Sequence, residues 1–230
     1  MRNDINKMDL EIIYSDQAIL VLNKPAGLPV LPDGWEKDAP YLVKMVEESE
    51  GKIWIVHRLD KITSGVMVFA RTAEAHRTLN IQFEKHEAQK VYHAIIVGVP
   101  KWEEKVAKHP LRANIGHKHR TAVDTKNGKV SETRFKILNK FTSHALAEAL
   151  LMTGRTHQIR AHAYALGHPL LGDILYSAPE TNLIQRPALH AFLLTFLHPT
   201  TGEQVSFTTS YPNDFSNAID RLKHKGDDQP

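Results

Sequence analysis

Short apolar runs rich in β-branched residues recur along the chain, and three segments break that habit with a helical spacing. Residues 11–14 (EIIY) and 18–23 (AILVLN) flank Asp16-Gln17 and predict a hairpin. A turn-rich exit follows, Lys24-Pro25-Ala26-Gly27-Leu28-Pro29. Residues 53–56 (IWIV) and 66–70 (VMVFA) read as buried strands around a polar stretch. Ala75, Leu79 and Phe83 recur every four residues and predict a helix over 73–83. Residues 91–97 read as a strand ended by Gly98 and Pro100, and residues 132–138 as another. Residues 145–151 fit a strand or, equally, a helix. Thr156 is placed to cap a helix over 157–166, ending at Gly167 and Pro169. Residues 188–197 and 204–208 predict a hairpin, and Phe215, Ile219 and Leu222 a last helix after Pro212. Many strands with few helices and no steady βαβ alternation argue for an α+β fold, a mixed, largely antiparallel sheet with flanking helices and loops. With no Pro/Gly/Ser linker, one domain over residues 9–224 is expected, with tails at 1–8 and 225–230.

Composition narrows the class. The 230 residues are 42% hydrophobic and 24% charged, which is ordinary for a globular chain. There is no cysteine, so disulfides, thiolate metal sites and thiol nucleophiles are excluded. The first residues lead into no apolar stretch of signal or membrane-spanning length, so a cytoplasmic protein with no membrane partner is expected. Net charge is only +3, but residues 101–130 hold eight Lys/Arg against three acids. That segment is either a solvated surface loop or a loop that grips phosphates. Gly116 and Gly128 among alternating charges suggest a mobile element that orders on binding.

Two stretches concentrate chemistry. In His57-Arg58-Leu59-Asp60-Lys61-Ile62-Thr63-Ser64-Gly65 one carboxylate stands between two cations, on a turn that runs into an apolar strand. Such an acid stays ionised at neutral pH, as a nucleophile or general base must. In Thr153-Gly154-Arg155-Thr156-His157-Gln158-Ile159-Arg160-Ala161-His162 two arginines and two histidines crowd a helix start. Ile159, Ala163 and Leu166 would face the core, leaving Arg160 partly buried and in need of an acidic partner. Asp173, after Gly172, is a second acid whose expected job is a turn cap. Fourteen histidines invite a metal reading, but His157 and His162 are five apart and His117 and His119 sit among cations. No metal site is expected, and no phosphate- or dinucleotide-binding glycine motif is present.

HRLDKITSG with its apolar strand, KVYHAIIVG and GRTHQIRAH together resemble the RluA-type family of RNA pseudouridine synthases. The resemblance runs from about Leu10 to Phe207 and takes in the Lys24-Pro25-Ala26-Gly27 turn, residues 168–173 and the late Leu189-His190-Ala191 strand. It implies isomerisation of uridine to pseudouridine in structured RNA, a ribosomal or transfer RNA stem-loop, without a cofactor and with no obligate protein partner. It implies that Asp60 is the catalytic carboxylate and that Tyr92 stacks on the uracil. It further implies that Arg160 pairs with the catalytic acid and that Arg58 helps flip the nucleotide. Arg155, His157, Lys118, Arg120 and Lys126 are the further expected RNA contacts. Many relatives carry a small RNA-binding domain ahead of the core; strand-like sequence here begins by about residue 11, so the core itself, aided by the 101–130 loop, is expected to hold the RNA.

Two readings compete. One is an RNA-binding protein or chaperone with a degenerate site, which the intact Asp60, Tyr92 and Arg160 oppose. The other is a nucleoside or glycoside hydrolase, which ordinarily needs two carboxylates about the bond, where the motifs offer one.

Overall fold

The computed structural model describes residues 10–32, 39–116 and 120–224. The expected tails, 1–8 and 225–230, lie outside them. In chain order the elements are β1 (Glu11–Ser15), β2 (Ile19–Lys24), α1 (Leu42–Glu50), β3 (Trp54–Ile55), β4 (Ser64–Ala70), α2 (Ala73–Glu84) and β5 (Gln89–Val97). Then come β6 (Glu104–Ala107), β7 (Leu111–Ile115), β8 (Arg120–Val123), β9 (Thr133–Lys140), β10 (His144–Leu151) and α3 (Gln158–Ala165). A 3-10 turn (Ile174–Tyr176), β11 (Leu189–Leu197), β12 (Gln204–Thr208) and α4 (Asn213–His224) complete the fold. The fold class is α+β with mixed, mostly antiparallel strand pairing, as the apolar pattern predicts. The chain forms two compact units, residues up to Gln89 with Ala191–Ser210, and Lys90–His190 with Tyr211 onward.

In the first unit β4 is buried at every position, which is why its sequence reads as an unbroken apolar run rather than an alternation. β2 lies antiparallel along it from Ile19 opposite Ala70 to Lys24 opposite Gly65, and β1 flanks β2. On the other side β4 meets β11, which carries β12. Gly65 sits at φ +121°, and a Cβ there would stand 2.2 Å from the Ala191 carbonyl oxygen, so only glycine lets these strands approach. α2 buries Ala75, Leu79, Gln82 and Phe83 and is capped by Thr72, whose hydroxyl accepts from Ala75 N. Helix α1 was not legible from the sequence: it buries only Leu42 and Val46 and has no side-chain cap.

In the second unit β5, β10, β9 and β6 pair in that order, each antiparallel to its neighbour. β10 resolves the ambiguity at 145–151: its Ala, Leu and Glu favour helix locally, but pairing on both edges wins. The described residues of the 101–130 segment include three strands. β6 extends the sheet along β9, and β7 and β8 form their own hairpin, with a register shift between Arg112 and Ile115. α4 buries Phe215, Ala218, Ile219 and Leu222 in a cluster with Ile95, Leu146 and Leu171.

His93 of β5 is buried, with Nδ1 2.6 Å from the Tyr211 hydroxyl, which donates to it. Burial pushes the imidazole down from 6.5 to about 4, so the folded state holds it neutral where the unfolded state would take a proton. Stability from this site is complete above about pH 6.5 and is lost as pH falls towards 4. His93→Gln should flatten that loss, as read from urea midpoints at pH 7 and pH 5. Gly65→Ala should destabilise the protein by about 3 kcal/mol, since backbone must move to admit the methyl; thermal and urea unfolding measure it.

Candidate active site

The Asp60 turn is built by its surroundings. β3 ends at Ile55, and His57 continues its work: the ring accepts a hydrogen bond from Val68 N at Nε2 (3.2 Å) and stacks on Phe83 with centroids 4.8 Å apart. Leu59 is buried, the Asp60 carbonyl accepts from Thr63 N at 3.0 Å, and Thr63 and Ser64 are buried beyond it. Beneath the turn lies Lys24, fully buried. Its ammonium donates to the carbonyls of Pro25 (2.8 Å), Leu28 (2.7 Å) and Lys61 (3.2 Å). Gly27 N also donates to Lys61 O, at 2.8 Å. The Lys24–Leu28 turn and the Asp60 turn are thus joined through one buried cation and one shared carbonyl. Asp60 emerges half-buried, with Arg58 and Lys61 exposed on either side.

The second unit carries the remaining described candidates. Tyr92 lies on β5 opposite Ala149 and is 8% exposed. Lys90, two residues earlier on the same face, is half-buried, and burial lowers its ammonium pKa. Its Nζ lies 3.7 Å from where a Cβ on Gly154 would stand, so it reaches the arginine-rich loop.

Helix α3 begins at Gln158, one residue later than predicted, and Thr156 is exposed and does not cap it. His157 occupies the N-cap in a left-handed conformation (φ 51°, ψ 23°) with no side-chain cap bond. The buried Gln158 side chain does the organising instead. Its Oε1 accepts from Thr153 Oγ1 (2.7 Å) and Arg155 N (3.1 Å), and its Nε2 donates to Glu132 O (2.9 Å) and Thr133 Oγ1 (3.0 Å). The Thr133 hydroxyl donates to His162 Nδ1 (2.9 Å), whose Nε2 donates to His109 O (3.0 Å). That pattern needs a neutral imidazole, and burial lowers the His162 pKa accordingly.

Arg160 is buried and has the acid its burial demands, but the acid is Asp173. Nε donates to Oδ2 at 2.7 Å and Nη2 to Oδ1 at 2.8 Å, a two-pronged pair with a fully buried carboxylate. The turn-cap role expected of Asp173 is replaced by this one, and its side chain makes no cap bond. Burial of Arg160 therefore does not require Asp60 as its partner. The guanidinium also lies 5.0 Å from the Tyr176 ring centre.

Among the other expected RNA contacts, Arg155 Nε donates to Val130 O (3.2 Å) and His157 packs edge-on against Tyr176. Arg120 opens β8 with its guanidinium 5.8 Å from the Tyr164 ring. Lys126 is exposed in a turn that Asp124 organises by accepting from Lys126 N and Asn127 N. Those bonds, the one from Asn127 foremost, hold the Asp124 carboxyl below its usual range. Lys118 lies outside the described residues. The structure thus sets Asp60 and Arg58 on the first unit, and Tyr92, Arg155, His157, Arg160, Arg120 and Lys126 on the second. Sequence reasoning passed over Lys24, Gln158 and Tyr176 as agents. The one available signal was phase: Lys24 continues a buried strand, and Gln158 adjoins the buried Ile159.

A model of the RNA pseudouridylate synthase family matches residues 18–165. The chain is 35% identical over 229 residues to the Ribosomal large subunit pseudouridine synthase D of Zymomonas mobilis, covering 92% of this chain and 72% of that one. It is 36% identical over 209 residues to the Dual-specificity RNA pseudouridine synthase RluA of Escherichia coli, covering 90% and 94%. Among solved structures, Human RNA Pseudouridylate Synthase Domain Containing 1 superposes with a TM-score of 0.79 at 25% identity, over 100% of this chain and 99% of that one.

Asp173→Ala leaves a buried guanidinium without its anion and should cost about 3–5 kcal/mol. Replacing both partners, Arg160→Met with Asp173→Leu, should cost less, because no charge is then left unpaired. Urea midpoints of the two variants give the comparison.

Proposed function

Because the chain belongs to the RNA pseudouridylate synthase family and isomerises RNA uridine, we propose that Asp60 is its catalytic carboxylate and that its target is a uridine in a structured ribosomal or transfer RNA. The observation that carries this reading is the clamped turn under Asp60. Lys24 fixes the backbone on one side and the Thr63 bond on the other, so the carboxylate is aimed by covalent geometry rather than by a mobile chain.

The reaction suits such a group. The C1′–N1 bond of uridine breaks, the base turns, and a C1′–C5 bond forms. The C5 proton leaves and N1 gains one, so substrate and product are isomers. Neither redox change nor group transfer from outside is needed. A carboxylate can add to the sugar, add to the base, or take a ribose proton; these routes share the requirement that Asp60 be ionised and close to C1′ or C6.

The other roles follow the chemistry of each side chain. Tyr92 offers a nearly buried ring for the uracil. Arg58, exposed beside Asp60, suits the phosphate or the space left by an extruded nucleotide. Arg160, locked to Asp173, serves as a fixed positive charge. Arg155, His157, Arg120 and Lys126 suit backbone phosphates, and Lys118 is assigned with them by its place in the sequence. The name of the Zymomonas relative favours ribosomal RNA and the words dual-specificity in the Escherichia one leave more than one RNA class open.

Mapping pseudouridines in cells with and without the gene product identifies the RNA. On that RNA, Asp60→Asn should abolish product while affinity stays within about tenfold of the parent. Turnover by Asp60→Asn at a rate near the parent's would remove Asp60 from the catalytic role.

A further inference from the structure

Tyr176 is 1% exposed and makes more specific contacts than packing requires. Its hydroxyl accepts from Thr121 N at 3.1 Å and donates to Thr121 O at 2.9 Å. One phenol thus serves both backbone groups of a residue in β8, as a neighbouring strand would. The same ring lies under the Arg160 guanidinium, 5.0 Å from it. Tyr176 N donates to the carbonyl of Asp173, the residue whose carboxylate holds that guanidinium. His157, in its left-handed N-cap, meets the ring edge-on at 6.0 Å, with Nδ1 3.3 Å from the phenol oxygen. Burial raises the phenol pKa, which keeps its proton in place for Thr121 O.

We propose that Tyr176 is a positioning residue that clasps the β7–β8 hairpin to helix α3, so that the hairpin's hold on RNA and the placement of Arg160 are set by one side chain. The inference rests on the reading above in taking the hairpin as an RNA contact. Arg120 adjoins Thr121, and Arg112 stands on the facing strand, so phosphates bound there load the clasp directly. The clasp is not tight by build. Thr121 Oγ1 is buried and has no hydrogen-bond partner among the described residues, a standing penalty on the docked hairpin. Removing the phenol oxygen and removing the Thr121 hydroxyl should therefore act in opposite directions.

The test uses Tyr176→Phe and Thr121→Val in the full chain, with amide exchange over residues 111–123, the Kd for the RNA, and kcat and KM. Tyr176→Phe keeps the ring under Arg160 and loses two neutral hydrogen bonds. Exchange at Thr121 should quicken, and Kd and KM should rise, each by roughly tenfold, with kcat changed far less than KM. Thr121→Val should slow exchange and lower Kd. Parental exchange and Kd in Tyr176→Phe, or a fall in kcat alone, would overturn the clasp. Should Tyr176→Phe fail to fold, Thr121→Val decides alone: no change in exchange and Kd refutes the proposal. A parent chain that makes no pseudouridine, yet whose Kd and exchange respond as described, would keep the clasp and reject the catalytic reading.

Discussion

A cation taken out of water must be surrounded by acceptors, and in this protein the backbone bends to supply them. Three carbonyl oxygens from two separate turns receive the Lys24 ammonium. Each carbonyl can point inwards only if its turn is folded as it is, so the charge dictates the path of both. The turn that bears Asp60 is one of them. An exposed loop would sample many conformations, whereas this one is tied below by Lys61 O and across its neck by the Thr63 amide. Replacing the ammonium with an apolar chain would leave carbonyls facing an unfilled, water-free space.

The second unit solves the same problem with a different chemistry. Arg160 meets a carboxylate in a planar, two-pronged pair, and the helix that carries it is anchored by neutral groups. Gln158, Thr133 and His162 form a chain in which each donor meets one acceptor, ending on a backbone carbonyl. A neutral chain of this kind tolerates burial without the penalty of an ion, and it fixes the start of α3 where Thr156 was expected to do so.

What the sequence made legible was governed by locality. β-branched runs such as Ile19–Leu22 and Val66–Phe69 declare strands, because their burial shows in the residue types themselves. The Asp60 and Arg160 motifs stand out for the same reason, as charge placed beside apolar sequence. β10 could not be told from a helix, since only its two partners decide the matter. β6, β7 and β8 were hidden by charge: their residues are mostly solvent-facing, so no apolar alternation betrays them. The partner of Arg160 was hidden by distance, because Asp173 sits between Gly172 and Ile174 in what reads as a simple turn. Buried polar pairs are a property of packing and leave little trace along the chain.

The discontinuity of the first unit bears on how the protein is made. β4 is complete by residue 70, yet β11, its neighbour on one edge, begins at Leu189. Gln82 of α2 likewise waits for Leu197, to which it both donates and accepts at 2.8 Å. During synthesis at about 5–20 residues per second, more than a hundred residues must emerge before that edge is covered. For that interval of several seconds or more a strand that ends up buried along its whole length stands with one side covered only at Phe69 and Ala70, by β3, which is the kind of surface that pairs with other nascent chains. Yield of native protein in the cell is thus tied to elongation speed and to chaperone supply, through a strand order fixed by topology.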